Sequence, residues 1–275
     1  MASEGLQGHR ARKRFGQNFL HDRHWIERIA KAVNATEGDD IVEIGPGQAA
    51  LTRELIAGAG KVRAVEIDRD LAAWLKETFP ESLSLIEADA LTLDWTQVAK
   101  NDNLRVVGNL PYNISSPLLF KLLEAADHVK DQHFMLQKEV VDRMVAQHGS
   151  KTYGRLSVML QWRYRMQKLF DVPPGAFNPP PKVMSSVVRM IPKAKEEVPS
   201  VDFELFSSVV ANAFSQRRKT IRNALSALLS AEEIAACDVD PGARAEALPL
   251  GAFVRLAQKA EALGRKAVTP GTTVD

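Results

Sequence analysis

Residues 41–47 read Ile41-Val42-Glu43-Ile44-Gly45-Pro46-Gly47, and this short apolar run ending in two glycines decides the fold. The run predicts a buried strand, and the helical periodicity of residues 49–58 predicts a helix directly after it. Glycines at such a turn let the backbone pass close to a bound ligand. A tight strand-to-helix turn explains an isolated Gly-x-Gly equally well, so its role depends on the rest of the chain.

Short apolar runs alternate with amphipathic stretches through the first half of the chain. Strands are predicted at residues 40–44, 61–65, 83–86, 104–107 and 133–136, and helices at residues 24–33, 49–58, 69–78, 117–125 and 138–148. This alternation predicts an α/β fold with a doubly wound parallel sheet. Residues 155–164 and 185–190, separated by a proline-rich loop, are predicted to be two late strands that form an antiparallel edge.

The second half of the chain predicts a small helical domain. The charged, proline-marked residues 193–200 are predicted to link an α/β domain over residues 21–192 to an all-α domain over residues 201–264. Its predicted helices cover residues 203–214, 218–229, 231–236 and 250–263. Residues 1–20 are expected to form a basic arm that also begins the ligand site, and residues 265–275 a disordered tail.

Length and composition are those of a globular enzyme. A chain of 275 residues with 45% hydrophobic content can bury a substantial core. No apolar run reaches membrane-spanning length and residues 1–14 lack a secretory signal, so we expect a cytoplasmic protein, by default a monomer. The chain has one cysteine, Cys237, and its six histidines are scattered, so we expect neither a disulfide nor a metal site.

Basic residues form three clusters, although the formal net charge is only +2. The clusters are Arg12, Lys13 and Arg14 with Arg10; Arg217, Arg218 and Lys219 with Arg222; and Arg163, Arg165 and Lys168. Such clusters neutralise phosphates and release counterions, which gives an affinity for RNA that weakens with salt. A solvated face explains any single cluster equally well, but three together favour contact with RNA.

Two acidic residues follow the second and third predicted strands. Glu66 comes about twenty residues after the glycine turn, where an acid commonly binds ribose hydroxyls. Asp89 follows the next strand and can accept a hydrogen bond from an adenine amino group at the carboxyl edge of the sheet. The turn lacks an evident cradle for a pyrophosphate, which favours S-adenosylmethionine over NAD. For either acid alone, helix capping or solvation is the alternative.

The tetrapeptide Asn109-Leu110-Pro111-Tyr112 follows the strand run that ends at Gly108. The Asn109 amide oxygen and the Leu110 carbonyl can accept both N–H bonds of an exocyclic amino group, while Tyr112 stacks on the base. Pro111 stiffens the turn. These groups predict a site that holds adenine by its amino edge, with a simple chain turn as the alternative.

With both sites in view, the chain resembles the bacterial small-subunit rRNA adenine N6-dimethyltransferases. The matching segments, in order, are residues 15–20 (Phe-Gly-Gln-Asn-Phe-Leu), 43–47 (Glu-Ile-Gly-Pro-Gly), Glu66, Asp89, residues 109–117 (Asn-Leu-Pro-Tyr-Asn-Ile-Ser-Ser-Pro) and 177–183 (Phe-Asn-Pro-Pro-Pro-Lys-Val). The resemblance implies a Rossmann-like class I S-adenosylmethionine-dependent methyltransferase domain with a small C-terminal all-α domain. It also implies dimethylation of two adjacent adenosines near the 3′ end of 16S rRNA, within a small-subunit particle that is still maturing.

The resemblance also implies roles for individual residues. Cofactor contacts are expected from Asn18 and Leu20 near the methionine part, Gly45 and Gly47 at the turn, Glu66 on the ribose, Asp89 on the adenine, and Asn109 between cofactor and target. Catalytic residues are expected to be Asn109, Leu110, Pro111, Tyr112 and Phe177. Tyr112 and Phe177 are the stacking candidates for an unstacked base, with a role as core anchor as the alternative for Phe177.

Three alternatives of different classes stay open. A large-subunit rRNA methyltransferase of the antibiotic-resistance type shares Asn-x-Pro-Tyr, although Ser115-Ser116-Pro117 and the long helical domain count against it. A non-catalytic RNA-binding assembly or transcription factor on the same fold would tolerate loss of Asn109 or Glu66. A small-molecule methyltransferase would need no basic arm.

Overall fold

The structure is a computed structural model that describes residues 6, 11–12, 16–99, 101–216 and 218–270. The described chain forms two compact units. The first comprises residues up to Val141 together with Arg165–Pro192, and the second comprises Asp142–Tyr164 and the chain from Lys193 onward. The chain therefore passes between the two units three times, after residues 141, 164 and 192. The expected boundary at residues 193–200 coincides with only the last of these passages.

Strands and helices alternate along most of the described chain. In order, they are β1 (Phe19–Leu20), α1 (Arg23–Val33), β2 (Ile41–Ile44), α2 (Ala50–Ala59), β3 (Val62–Glu66), α3 (Arg69–Thr78), β4 (Leu83–Glu87), α4 (Trp95–Val98), β5 (Leu104–Asn109), α5 (Ser115–Leu122), β6 (Val129–Gln137), α6 (Lys138–Met144), α7 (Arg155–Arg163), β7 (Tyr164–Val172), β8 (Phe177–Asn178), β9 (Ser185–Pro192), α8 (Phe203–Ala213), α9 (Ile221–Ala224), α10 (Ala231–Ala235) and α11 (Leu250–Ala262). Short 3₁₀ helices cover Leu123–His128, Pro174–Ala176, Lys195–Glu197 and Ala245–Ala247.

One seven-stranded sheet organises the first unit, in the order β4-β3-β2-β5-β6-β9-β7. The neighbouring strands from β4 to β6 pair in parallel, whereas β9 runs antiparallel to β6. All four residues of β2 are buried, as expected for a central parallel strand whose two faces are both covered. The predicted doubly wound α/β fold is confirmed, and of the two predicted late strands the one at residues 185–190 is present, as β9.

The register of this sheet brings the predicted site segments to one edge. Ile44 at the end of β2 pairs with Val65 of β3 on one side and with Gly108 of β5 on the other. Since the strands are parallel, the residues that follow them emerge at the same carboxyl edge. Gly45, Glu66 and Asn109 are therefore neighbours, although up to 64 positions separate them in the sequence.

The predicted strand over residues 155–164 is wrong, because residues 155–163 form the helix α7. Five consecutive residues from Leu156 to Leu160 are buried, so the helix has no solvent-exposed face along this stretch. A helix that is apolar all round lacks the 3.6-residue period that distinguishes it from a buried strand. The strand beside β9 is β7, which starts only at Tyr164.

The second unit is helical, as predicted, although its elements are shorter than expected. Helical structure in residues 218–229 is confined to α9. The ring of Trp162 lies 5.5 Å from the rings of both Phe203 and Phe206, at the start of α8. No helix of the described residues is long and apolar enough to cross a membrane.

The predicted disordered tail is at variance with the structure as far as Val268. The Val268 backbone N–H donates to Ser208 Oγ at 2.9 Å, and its carbonyl accepts from Ser208 Oγ at 2.7 Å and from Asn212 Nδ2 at 3.0 Å. The side chains of Ser208 and Asn212 in α8 are buried, and the backbone of Val268 satisfies their hydrogen bonds. Residues 271–275 lie outside the described chain.

Candidate cofactor and catalytic site

One cleft at the carboxyl edge of the sheet contains most of the predicted cofactor and catalytic residues. We call it the cofactor cleft; its lining includes Asn18, Leu20, Gly45, Gly47, Glu66, Asn109, Leu110, Pro111 and Tyr112. Asp89 and Phe177 are not part of the lining. All of these residues belong to the first unit.

The glycine turn after β2 brings backbone to the wall of the cleft. Gly45 and Gly47 have φ angles of 68° and 56°, in the left-handed region that favours glycine. A Cβ atom at Gly47 would lie only 3.0 Å from Cδ1 of Phe19. The turn is fixed because the Gly45 N–H donates to the Val65 carbonyl at 2.9 Å. Side chains larger than hydrogen are therefore excluded where a ligand would meet the turn.

Glu66 is a buried hydrogen-bond acceptor at the end of β3. Its Oε2 accepts from the Gly47 N–H at 3.2 Å and its Oε1 accepts from the Asp68 N–H at 2.9 Å. Burial raises the pKa of Glu66, and the bonds from backbone N–H groups oppose that rise. Since a carboxylate offers about four lone-pair sites, Glu66 keeps capacity to accept hydroxyl groups.

Glu43 is a second buried acid in the lining, and the sequence motifs assigned it no role. It lies within β2 with 3% of its surface exposed, and Thr52 Oγ1 donates to its Oε2 at 2.6 Å. Burial raises the pKa of Glu43 to about 7, helped by the charge of Glu66 and opposed by the Thr52 hydrogen bond. The sequence feature that could have identified Glu43 as a site residue is its position as a glutamate inside an otherwise apolar predicted strand.

Hydrogen bonds hold the Asn109-Leu110-Pro111-Tyr112 turn on both sides. Asn109 Nδ2 donates to the Asn18 carbonyl at 3.1 Å, and the Leu110 N–H donates to the Met135 carbonyl at 3.1 Å. No group of the described residues donates to Asn109 Oδ1 or to the Leu110 carbonyl. Two adjacent acceptors in the lining of the cofactor cleft therefore have no donor among the described residues.

Tyr112 is oriented by a contact with β9. Its Oη lies 2.8 Å from Oγ of Ser185, the first residue of β9, which is buried. Burial raises the pKa of Tyr112, and the Ser185 hydrogen bond acts in the opposite direction. The side chain is therefore held as a neutral phenol in the lining of the cleft.

Arg12, which is predicted to contact RNA, forms ion pairs within the chain, and the RNA contact stays a prediction. Its guanidinium forms ion pairs with Asp68, at 3.0 Å, and with Asp70. Gln17 Nε2 donates to the other oxygen of Asp68 at 3.0 Å, and its own oxygen accepts from the Arg12 N–H at 2.7 Å. Two carboxylates thus engage Arg12, which ties the N-terminal segment to the residues next to Glu66.

Asp89 lies just after β4, between two lining residues, Ala88 and Ala90. Its Oδ1 accepts from the Leu91 N–H at 2.9 Å, so one oxygen caps the following turn. This hydrogen bond agrees with the capping alternative for Asp89, and the contact with adenine stays a prediction.

Phe177 is 3% exposed and belongs to the core cluster, paired in register with Leu20 between β8 and β1. This position agrees with the core-anchor alternative. The stacking role of Phe177 stays a prediction.

The three predicted basic clusters differ in how exposed their side chains are. Arg218, Lys219 and Arg222 are exposed, as a surface that contacts RNA requires, whereas Lys13, Arg14 and Arg217 lie outside the described residues. The third cluster is not a free cationic face. Arg163 is buried and donates to the Lys193 carbonyl at 2.7 Å, and Lys168 forms an ion pair with Asp171 at 2.8 Å.

The fold and the site together define a class I methyltransferase. The sheet order with one antiparallel strand, the glycine turn after β2 and the acid after β3 are combined in one unit. A model of the family described as ribosomal RNA adenine dimethylase matches residues 8–261. The chain belongs to this family. The predicted family and fold class are confirmed, and S-adenosylmethionine is the methyl donor of this class.

Similar proteins cover nearly the whole chain. Ribosomal RNA small subunit methyltransferase A of Thiobacillus denitrificans is 57% identical over 241 residues, 87% of this chain and 94% of that protein. The protein of the same name from Pseudomonas aeruginosa is 53% identical over 265 residues, 95% of this chain and 99% of that protein.

Two solved structures share the fold along most of their length. A dimethyladenosine transferase from Plasmodium falciparum has a TM-score of 0.79 at 25% identity and covers 91% of this chain and 100% of its own. The 23S rRNA methyltransferase ErmE has a TM-score of 0.68 at 26% identity and covers 89% of this chain and 100% of its own.

The residues of the cleft fit S-adenosylmethionine better than a phosphate-bearing cofactor. Within the described part of the chain, the lining contains two acids, Glu43 and Glu66, and neither lysine nor arginine. Such a wall attracts a ligand with a cationic sulfur and an ammonium group to the extent that its acids are ionised, and it offers no cationic side chain to a pyrophosphate. The turn at Gly45 and Gly47 and the remaining acceptor capacity of Glu66 suit a nucleoside with free ribose hydroxyls.

Proposed function

We propose that the chain transfers methyl groups from S-adenosylmethionine to the N6 amino groups of two adjacent adenosines near the 3′ end of 16S rRNA. One observation carries the proposal: Asn109 and Leu110 line an acid-containing cleft, and no group of the described residues donates to Asn109 Oδ1 or to the Leu110 carbonyl. An adenine N6 amino group has two N–H bonds, and two neighbouring acceptors match it. The names and the extent of the similar proteins support the same substrate.

Cofactor binding is assigned to residues on three elements. Glu66 receives the ribose hydroxyls, and the turn at Gly45 and Gly47 lies against the methionine part with Asn18 and Leu20. Asp89 accepts from the cofactor adenine through the oxygen that does not cap Leu91. S-adenosylmethionine supplies a methyl group on a positively charged sulfur, so the protein does not have to create an electrophile.

Asn109 contributes to catalysis by orienting the N6 amino group of the target adenine. Because its Nδ2 donates to the Asn18 carbonyl, its Oδ1 has to face the opposite side of the amide, toward the target. Asn109 Oδ1 and the Leu110 carbonyl then hold the two N6–H bonds and direct the nitrogen lone pair into the cleft. Holding reactants in such an arrangement is itself a large part of catalysis. The methylated N6 cation is acidic and loses its proton to water, so no strong general base is required.

The target base has to leave its stack before N6 reaches the cleft. Aromatic faces replace the lost stacking with about 1–3 kcal/mol per base. We assign this role to Tyr112, whose ring is fixed by Ser185, and to Phe177 if the β8 segment opens. Pro111 keeps the turn stiff.

RNA contact is assigned to exposed cations. Arg218, Lys219 and Arg222 are exposed in the second unit, and Lys13, Arg14 and Arg217 complete the two basic sequences. Such surfaces recognise the shape and phosphates of a folded RNA more readily than a short sequence. We therefore propose a maturing small-subunit particle as the substrate, a role in small-subunit biogenesis, action in the cytoplasm as a monomer, and no step that requires a metal.

The similarity to ErmE keeps a large-subunit rRNA methyltransferase as the second candidate. To distinguish the two candidates, the protein is incubated with labelled S-adenosylmethionine and with undermethylated small-subunit particles, naked 16S rRNA or 23S rRNA. The RNA is then digested and its nucleosides are analysed. Dimethyladenosine on the particles alone is the expected result. Product on 23S rRNA selects the second candidate. Particle binding without methylated product leaves a binding factor on an enzyme fold.

A further inference from the structure

Three exposed residues, Lys182, Val183 and Met184, immediately precede Ser185, the residue that holds the Tyr112 hydroxyl. We call them the 182–184 segment. Val183 is 45% exposed and Met184 is 37% exposed. Lys182 is also exposed and forms no ion pair within the part of the chain that the structure describes. Two exposed apolar residues and a lysine without an ion pair thus directly precede, along the chain, the residue that contacts Tyr112.

The 182–184 segment is held in this position by backbone contacts. The Met184 carbonyl accepts from the Lys138 N–H at 2.9 Å, where β6 ends. Ser185 pairs in register with Gln137, so β9 begins directly after Met184. On the other side lie Pro179, Pro180 and Pro181, which restrict the backbone. The backbone that carries the exposed side chains is therefore fixed at both ends of the segment.

Isolated exposed apolar side chains are normal and need no explanation. Of the large apolar side chains that are exposed in the described first unit, Ile67 lines the cofactor cleft, and the other two are Val183 and Met184. Neither of these two lines the cofactor cleft. Their exposed surface therefore lies outside the site assigned to the cofactor, one and two residues before the Ser185 contact with Tyr112.

We infer that the 182–184 segment binds the nucleoside next to the adenosine in the catalytic site. The face of its base packs on Val183 and Met184, and the phosphate that joins the two nucleosides lies near the Lys182 ammonium. This inference rests on the proposed function and deepens it. When one adenosine leaves the stack, its neighbour loses a stacking partner, and an apolar surface beside Tyr112 replaces that partner.

This arrangement matches a substrate with two reacting adenosines in sequence. While Tyr112 holds one base, the 182–184 segment holds the other, so the RNA backbone is positioned by both. A flat apolar contact tolerates any base, since each base has an apolar face. The Lys182 contact adds a charge interaction that depends on salt.

The test compares the double variant Val183→Ser with Met184→Ser against wild type on undermethylated small-subunit particles. We expect kcat/KM for methyl transfer to fall by about tenfold, the size of a weak base contact. Affinity for S-adenosylhomocysteine and the unfolding temperature stay unchanged, because neither side chain is buried or lines the cleft. Leu263→Ser, which alters an equally exposed leucine at the end of α11, is the matched control and retains full activity.

Two further variants distinguish a direct contact of the segment with RNA from an indirect effect on the structure of the protein. Met184→Phe keeps or increases kcat/KM, because an aromatic face stacks on a base at least as well. Lys182→Ala lowers the salt slope of particle binding by about one, whereas the double serine variant leaves that slope unchanged. Should the double variant lose stability, Met184→Gln alone, which keeps the side-chain length, provides the same comparison.

A kcat/KM of the double variant equal to that of Leu263→Ser would overturn the inference. So would a loss of S-adenosylhomocysteine affinity in Met184→Gln, because the segment would then act through the cofactor cleft. Failure of the wild-type protein to methylate any rRNA would overturn the proposed function instead, so the two failures are distinguishable.

Discussion

Glu43 makes the stability of the protein depend on pH in an unusual direction. Burial raises its pKa from the ordinary 4.5 to about 7. Between these values the folded protein keeps a proton that the unfolded chain releases, so stability falls as the pH rises through this window. Above pH 7 both states are ionised, and the folded state carries the whole cost of the buried charge. This interval corresponds to about 3 kcal/mol.

Glu43→Gln removes that titration and retains an oxygen that can accept the Thr52 hydrogen bond. We expect the variant to be more stable than wild type by up to about 3 kcal/mol at pH 8, and close to wild type at pH 5. Urea unfolding followed by tryptophan fluorescence at pH 5, 6, 7 and 8 measures the difference. Glu81→Gln, which changes an exposed glutamate, controls for the loss of one negative charge. An equal effect of Glu43→Gln at all four values would refute the reasoning.

Three shorter predictions concern other parts of the molecule. Asn109→Ala lowers the single-turnover rate by about 100-fold while particle binding persists; undiminished turnover would contradict the role of the amide. Gly108→Ala costs about 1–3 kcal/mol in chemical unfolding, because its Cβ would lie 2.8 Å from the Ile44 carbonyl oxygen, whereas Gly175→Ala has open space and serves as control. Replacing Arg218 and Lys219 with alanine lowers the salt slope of particle binding by about two, and an unchanged slope would favour a solvated face.

The sequence predicted the sheet and the edge at which the site lies. Buried parallel strands are continuous apolar runs, so β2 and β5 were recognisable, and the alternation with helices fixed their parallel order. That order alone brings Gly45, Glu66 and Asn109 to one edge. The cofactor cleft follows from the topology, which is why these predictions and the structure agree.

The sequence could not predict contacts that depend on distant parts of the chain. Arg12 reads as one member of a basic run, but Asp68 and Asp70, more than fifty residues away, neutralise it in the folded protein. For Phe177 the sequence leaves both a stacking role and a core-anchor role open, and its burial in the pair with Leu20 is visible only in the folded protein. The pKa of Glu43 likewise depends on burial, which a sequence does not display.

The central claim is that Asn109 and Leu110 hold the N6 amino group of two adjacent 16S rRNA adenosines at the cofactor cleft. The most direct measurement maps methylation by mass spectrometry of the 3′ fragment of 16S rRNA, after undermethylated particles have reacted with wild type or with Asn109→Ala. Within the time that wild type needs for one round of reaction, we expect dimethyladenosine at two neighbouring positions with wild type and at neither with the variant. Methylation at any other position, or the same two products with Asn109→Ala, would contradict it.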